Sequence, residues 1–444
     1  MARLRGTAWI ARREPFLLGA CAGLCWLVLA AGGRPQTFKD SEGYLALADA
    51  LQRFEVASAE RPDRAPGYPL FLLACRGLAA PLGLGPLAVT SALQTLLLAG
   101  LGTSLVYAIA RRASGRRMVA LAAAFLYAAD VDLHMFAPVI VTEALTAVLA
   151  LATTWCRLQD GHWRRAAWLA CLLVLTRPYL VAFPLAVGLV DGVRARRWGA
   201  AIEPTWPAAS ALAGWLAAVS LGGGQALDAY RRINALHAFG TAYEADLWAT
   251  LPPGPTREVL ADARRRKEDA YRAAMRLTGS ATPWNPGSDW RILGEAAAAM
   301  IRSDPTGYVR TRLAIIPAVY GGEIWPRKIL VRAGAWPPLL GWWHAAYRSA
   351  FYGSFLLFAL LLGGAVWNGL DWPGAVSPMR QVIAPYVVVL LTTTAALSLA
   401  TYEVGRLGVS LHAFVPLLWA LALTRLWLGT SHLRAPTSGP RACP

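Results

Sequence analysis

Two consecutive apolar stretches, GYPLFLLACRGLAAPLGL at 67–84 and GPLAVTSALQTLLLAGLGTSLVYAIA at 85–110, run into the basic turn RRASGRR at 111–117. How they are divided decides the fold. The second is long enough to cross a bilayer, which takes about 20 apolar residues. The first carries Arg76 and is broken by Pro81. If both crossed, Arg111, Arg112, Arg116 and Arg117 would be delivered to the outer side, against the preference of arginine for the cytoplasmic face. A half-embedded 67–84 followed by a crossing at 85–110 keeps them in the cytoplasm, and this is the expected division.

The same rule, carried outward, orders the rest. A basic start with Arg3, Arg5, Arg12 and Arg13 precedes an apolar run from Pro15 to Gly33, which reads as an uncleaved first span. Residues 34–65 are polar and form a first outside loop, with a short amphipathic helix at 44–51 lying on the membrane. Residues 118–136 go out and 139–156 return, so that Arg157, Arg164 and Arg165 lie inside. Residues 166–191 must go out and come back before Arg194, Arg196 and Arg197, yet they are too few for two crossings. Two short helices meeting at Arg177-Pro178 resolve this, because proline removes a helical hydrogen bond and the residue before it leaves the α region. Such helices persist at membrane depth only where protein or a water-filled cavity covers them, so a cavity is expected beside Arg177. After a span at 206–222, a polar outside stretch runs over 223–310, with one charged helix expected at 256–277. Residues 294–320 turn apolar along the membrane surface, and 316–348, rich in Trp, Pro and Gly, fit an interfacial layer. The last spans fall at 350–368, 382–400 and 407–428, and the tail with Arg434 and Arg441 ends inside.

The expected fold is therefore an all-α polytopic membrane protein, a helical bundle of about ten spans with outer amphipathic helices and loops. It divides into a transmembrane module at 1–222 containing the first periplasmic loop at 34–83, a large periplasmic loop at 223–348, and C-terminal spans with a cytoplasmic tail at 349–444.

Composition agrees. Of 444 residues 56% are hydrophobic and 16% charged; soluble domains carry about 25% charged residues. This excludes a disordered chain and argues against an ordinary soluble enzyme. The formal charge is 43 − 26 = +17, nearly all from arginine, since only Lys39, Lys267 and Lys328 are lysines. The arginines cluster between apolar runs, so no nucleic-acid partner is expected. Cys21, Cys25, Cys75, Cys156, Cys171 and Cys443 make no C-x-x-C pair, and neither a disulfide nor a zinc site is expected.

With orientation assigned, unusual polar residues collect on the outer face. Asp40 and Glu42 follow the first span; Asp130, Asp132, His134 and Glu143 flank the next outer turn. Arg177 sits at the tip of the short hairpin, and Glu403 and Arg406 precede the last span. Ionisable residues beside apolar spans are costly and commonly functional. Each also has a plain role: loop solvation for Asp40, snorkelling for Glu143, capping for Asp130 and Asp132, headgroup anchoring for Arg177, a helix-end ion pair for Glu403 and Arg406. His134 lacks a second metal ligand.

Several segments share a further pattern. Lys39-Asp40-Ser41-Glu42-Gly43-Tyr44, with Ala48 and Leu51, resembles the DSxxYxxxAxxL opening of the GT-C superfamily of polytopic glycosyltransferases. The resemblance is nearest to bacterial family-39-like members, relatives of protein mannosyltransferases and of the lipid A aminoarabinose transferase. Arg64-Ala65-Pro66-Gly67-Tyr68-Pro69 is similar to their RPPGYP segment, Thr142-Glu143-Ala144-Leu145 to the start of their fourth span, and Leu175-Thr176-Arg177-Pro178 to their LTRP break. Asp304-Pro305 through Tyr308 resembles their surface helix, and Glu403-Val404-Gly405-Arg406 through Pro416 their late ExRY segment, although Leu407 and His412 depart from it. These matches run in order from 38 to 417.

The resemblance implies an inverting sugar transfer from a polyprenyl-phosphate donor, on the outer face of a bacterial cytoplasmic (inner) membrane. Asp40 would be the general base, with Glu143 orienting it or the acceptor. Arg177, with Arg64 and Arg406, would hold the donor phosphate. Tyr44, Tyr68, Asp132, His134 and Glu403 would bind substrate. No cofactor is required, and a divalent metal shared by the carboxylates remains open. Partners would be the lipid-linked donor, membrane lipids, and a periplasmic glycan, lipid or protein acceptor. Two other functions compete: a flippase for lipid-linked sugars, and a non-catalytic scaffold.

Overall fold

Long apolar runs interrupted by Gly, Pro and arginine pairs fold into a succession of helices. The computed structural model describes residues 2–31, 35–55, 64–159, 162–195, 205–221, 226–280, 289–314, 338–351, 412–421 and 423. Among these residues the chain is all α; no strand forms, and one isolated parallel β-bridge joins Gln36 to Val139.

Helix α1 (Ala2–Ala31) packs along the middle of α4 (Pro86–Ser114). Between them in sequence, α2 (Lys39–Gln52) lies on α3 (Gly67–Leu82), and α3 packs on the first half of α4. Helix α5 (Arg117–Ala128) turns back along the second half of α4 through the basic loop, where Gly115 takes a left-handed φ of 70°. The short α6 (Val131–His134) is capped by Asp130, whose carboxylate accepts from the Leu133 backbone N–H at 3.2 Å. Helix α7 (Glu143–Arg157) packs antiparallel to α8 (Trp163–Thr176), which α10 (Trp206–Leu221) covers on its other side. Between α8 and α9 (Ala182–Ala195) stands the expected break: Arg177 is extended (φ −149°, ψ 95°), and a single 3₁₀ turn covers Pro178–Val181. Among the described residues α4, 29 residues long, is the one helix long and apolar enough to cross a bilayer.

Helix α4 contains a π-helical turn at Leu96–Leu101. Such a turn loosens the backbone ladder, and here the Leu98 carbonyl accepts from the Tyr127 hydroxyl of α5 at 2.9 Å. Gly102 leaves room for that phenol; a Cβ there would overlap it. At the arginine-rich ends of these helices Arg117 clasps the buried Glu14 of α1 through Nε and Nη2 at 2.8 and 2.6 Å. Tyr107 donates its hydroxyl to the same carboxylate at 2.5 Å.

Gly67 opens α3 against the end of α8. A Cβ on it would stand 2.7 Å from the Thr176 backbone nitrogen and 2.8 Å from the Leu175 carbonyl carbon, neither of which can rotate away. Gly67→Ala is therefore expected to destabilise the protein by about 1–3 kcal/mol, read as a lower midpoint of thermal unfolding.

Residues 226–314 build a second core. Helices α11 (Ala226–Glu244), α12 (Pro255–Arg265), α13 (Ala270–Thr278) and α14 (Arg291–Ser303) enclose Leu236, Phe239, Tyr243, Leu260, Leu293 and Met300. The single charged helix expected over 256–277 is two. Lys267 takes a left-handed φ of 56°, and Asp269 caps α13 by accepting from the Arg272 N–H at 2.8 Å. Arg276 bonds Glu268 across that break at 2.7 Å and holds its carboxyl below the usual carboxylate range. The span read at 118–136 likewise ends as a helix at Ala128, and the returning helix starts at Glu143 rather than 139. Within 294–320, read as lying along the membrane surface, α14 buries one side against α11 and α15 (Pro305–Ala314) follows it; 315–320 lie outside the described residues.

Helix α16 (Pro338–Phe351) docks across the α5–α6 turn. Residues 352–368 of the span read at 350–368, all of 382–400, half of 407–428, and the tail lie outside the described residues.

Candidate active site

Three of these elements bring the sequence-predicted residues together. Asp40 is the second residue of α2. Arg64, just before α3, donates from Nη2 to Asp40 Oδ1 at 2.6 Å, and the side chains are 17% and 26% exposed. The Arg64 guanidinium also lies 4.8 Å from the centre of the Tyr44 ring, a cation–π contact, and Nη1 reaches the Tyr44 hydroxyl at 3.4 Å. Tyr44 meets Tyr68 edge to face at 5.1 Å. Tyr44 and Tyr68 pack with Ile140, Ala48 and Leu72 in one small cluster.

A second ion pair stands nearby. Arg177 donates from Nη2 to Glu143 Oε1 at 2.8 Å, with Arg177 6% and Glu143 0% exposed. Arg177 is the C-cap of α8, its N–H still donating to the Leu173 carbonyl at 2.9 Å, and its side chain reaches the first residue of α7. Acidic groups at a helix N-terminus are favoured by the helix dipole, and a buried charge needs such a partner. Gly67, which opens α3 one residue before Tyr68, packs against Thr176, the residue before Arg177.

The stretch between α6 and α7 ties both carboxylates to one frame. The Gln36 N–H donates to the Pro138 carbonyl at 3.0 Å, and the Ile140 N–H donates to the Gln36 carbonyl at 3.0 Å. Ser41 Oγ accepts from the Phe38 N–H at 2.8 Å and donates to the Ile140 carbonyl at 2.7 Å. Asp40 lies between Phe38 and Ser41, and Glu143 begins three residues after Ile140. The Asp40–Arg64 pair is partly open and the Glu143–Arg177 pair is enclosed. Chemically, the arrangement offers one accessible carboxylate beside a cation and a second carboxylate–cation pair behind it.

Asp132 and His134 make other contacts. Asp132 is fully buried; its Oδ1 bonds His344 Nε2, and its Oδ2 is ion-paired with Arg348 Nε at 3.3 Å without a hydrogen bond. His134 is buried, stacked on Trp26 at 4.8 Å and edge-on to Tyr127 at 5.3 Å, with Nδ1 bonded to the Asp130 carbonyl at 2.7 Å. Glu403 and Arg406 lie outside the described residues. Among the described residues no three His, Cys, Asp or Glu side chains group as metal ligands.

Sequence reading missed Ser41 as a link and missed Gln94 entirely. The signal for Gln94 was available: one amide inside a 26-residue apolar run. No family model matches the chain, and no curated protein matches it.

Proposed function

We propose that the chain is a polytopic membrane glycosyltransferase of GT-C type, moving a sugar from a polyprenyl-phosphate donor to an acceptor on the outer face of a bacterial cytoplasmic membrane. The observation that carries this reading is the pair of ion pairs, Asp40–Arg64 and Glu143–Arg177, drawn from four separate segments and tied together through the 137–140 stretch. Two further facts support it. The residues that pair are those on which the family resemblance rests. The helices also turn large apolar side chains outward, among them Phe16, Val28, Phe125 and Trp168, each more than half exposed; such a surface fits hydrocarbon better than water.

In the proposed step an acceptor hydroxyl oxygen attacks the anomeric carbon. The bond from that carbon to the phosphate oxygen breaks, the polyprenyl phosphate departs with the electron pair, and Asp40 takes the hydroxyl proton. The departing phosphate is already anionic and needs positive charge rather than an acid; Arg64 beside the base, and Arg177 behind it, supply that charge. The lipid tail positions the donor in the membrane, so no nucleotide-binding fold is needed.

The test is transfer from radiolabelled polyprenyl-phosphate sugars by membranes containing the protein, with a total membrane extract as acceptor. Label is expected in a product with one donor of the panel. Chelation followed by Mg²⁺ or Mn²⁺ addition in the same assay decides whether the two carboxylates share an ion. Transfer from no donor, with lipid flipping in its place, overturns the reading.

A further inference from the structure

Four consecutive backbone carbonyls, from Ala137 to Ile140, are each taken by a donor distant in sequence. Pro138 and Ile140 accept from the Gln36 N–H and the Ser41 hydroxyl, in the segment that carries Asp40. Ala137 and Val139 accept from one side chain, Gln94 of α4, whose Nε2 donates to them at 3.2 and 2.8 Å. Gln94 is 1% exposed. Its Oε1 accepts from the Tyr68 hydroxyl at 2.6 Å. Both amide hydrogens and the amide oxygen are thereby used, and the rotated amide would face its oxygen to two carbonyls. The two carbonyls thus fix which way the amide points, and the Tyr68 hydroxyl donates to the oxygen so presented.

A buried primary amide inside an apolar helix is costly unless fully bonded. This one spends its bonds on the one stretch that connects the Asp40 segment to the start of α7. We propose that Gln94 is a positioning residue for the reaction: it holds residues 137–140 so that Asp40 and Glu143 keep a fixed separation. The proposal rests on the transferase reading above. Gln94 acts on the carboxylates through backbone, with the Tyr68 hydroxyl bonded to its amide oxygen. Tyr68 in turn contacts Tyr44 under Arg64, so the amide, the two tyrosines and the base-holding arginine form one continuous path.

The experiment compares wild type, Gln94→Leu and Tyr68→Phe in purified protein by backbone hydrogen exchange and by steady-state transfer. Gln94→Leu is expected to speed exchange of peptides covering 36–41 and 136–141 by about tenfold or more, with distant helices unchanged. It is expected to lower kcat about 10²-fold, the scale of a small misplacement of reacting groups, while KM for the polyprenyl-phosphate donor stays within about threefold. Tyr68→Phe, which keeps the amide and its two carbonyl bonds but leaves its buried oxygen without the Tyr68 donor, falls between, and it decides the matter if Gln94→Leu does not fold. Unchanged exchange in the 136–141 peptide overturns the proposal. Faster exchange with unchanged kcat also overturns it, because the stretch would then be held without consequence for transfer. Absence of transfer by wild type overturns the transferase reading instead, and exchange alone then decides whether Gln94 holds the stretch.

Discussion

Asp40→Asn is expected to lower sugar transfer by about 10²–10⁴-fold, the range for loss of a positioned general base, with the protein still folded. Asparagine keeps the shape of the side chain and removes its basicity. It also deprives Arg64 of its carboxylate, but the pair is partly solvated, at 17% and 26% exposure, so the loss in stability should not exceed roughly 1 kcal/mol. A large kinetic effect beside a small stability effect is the signature of a chemical role. The measurement is initial transfer rate at equal protein level, with thermal unfolding run alongside. Transfer equal to wild type would remove Asp40 as the base and redirect attention to the exposed Glu42 or to Glu143.

The opposite pattern is expected at the inner pair. Arg177→Ala leaves the Glu143 carboxylate, which has no exposed surface, without its guanidinium partner. Removing one member of a buried pair costs about 3–5 kcal/mol, so this variant should unfold markedly earlier and lose transfer with it. Glu143→Leu combined with Arg177→Met replaces both charges with apolar groups of similar size and should recover most of that stability. If the recovered double variant still transfers no sugar, the pair is needed for more than packing. If the single variant costs under about 1 kcal/mol, the enclosed geometry of the pair is not what holds Arg177 in place.

The parts of this arrangement that were legible in sequence share a cause. Pro178 dictates a break whatever surrounds it, and α8 does end at Thr176. Asp40 and Glu143 were legible because carboxylates beside apolar runs demand explanation. Their partners were not, since 24 and 34 residues separate each pair and nothing local encodes the contact. Gln94 escaped for a different reason: its two acceptors are backbone carbonyls, which every residue has and no sequence marks. The division of 255–278 into two helices escaped because Arg264-Arg265-Arg266-Lys267 favours a helix locally, while the bend depends on the left-handed Lys267. Asp132 was read as a cap or a substrate contact at the outer turn, and its bond to His344 was not legible because that residue stands 212 positions later.

That last contact bears on how the protein is made. One face of α16 grips the α5–α6 turn through four residues: Trp343 donates to the Ala129 carbonyl at 2.9 Å, Tyr347 to the Leu126 carbonyl at 2.9 Å, and His344 and Arg348 close on Asp132. Until they arrive, Asp132 is a carboxylate with no cation to meet it in its final place. At about 5–20 residues per second, a ribosome needs roughly 10–40 s to synthesise the intervening chain. A chain that stops before residue 338 lacks all four of these side chains, so the contacts that α16 makes with the α5–α6 turn belong only to the longer chain.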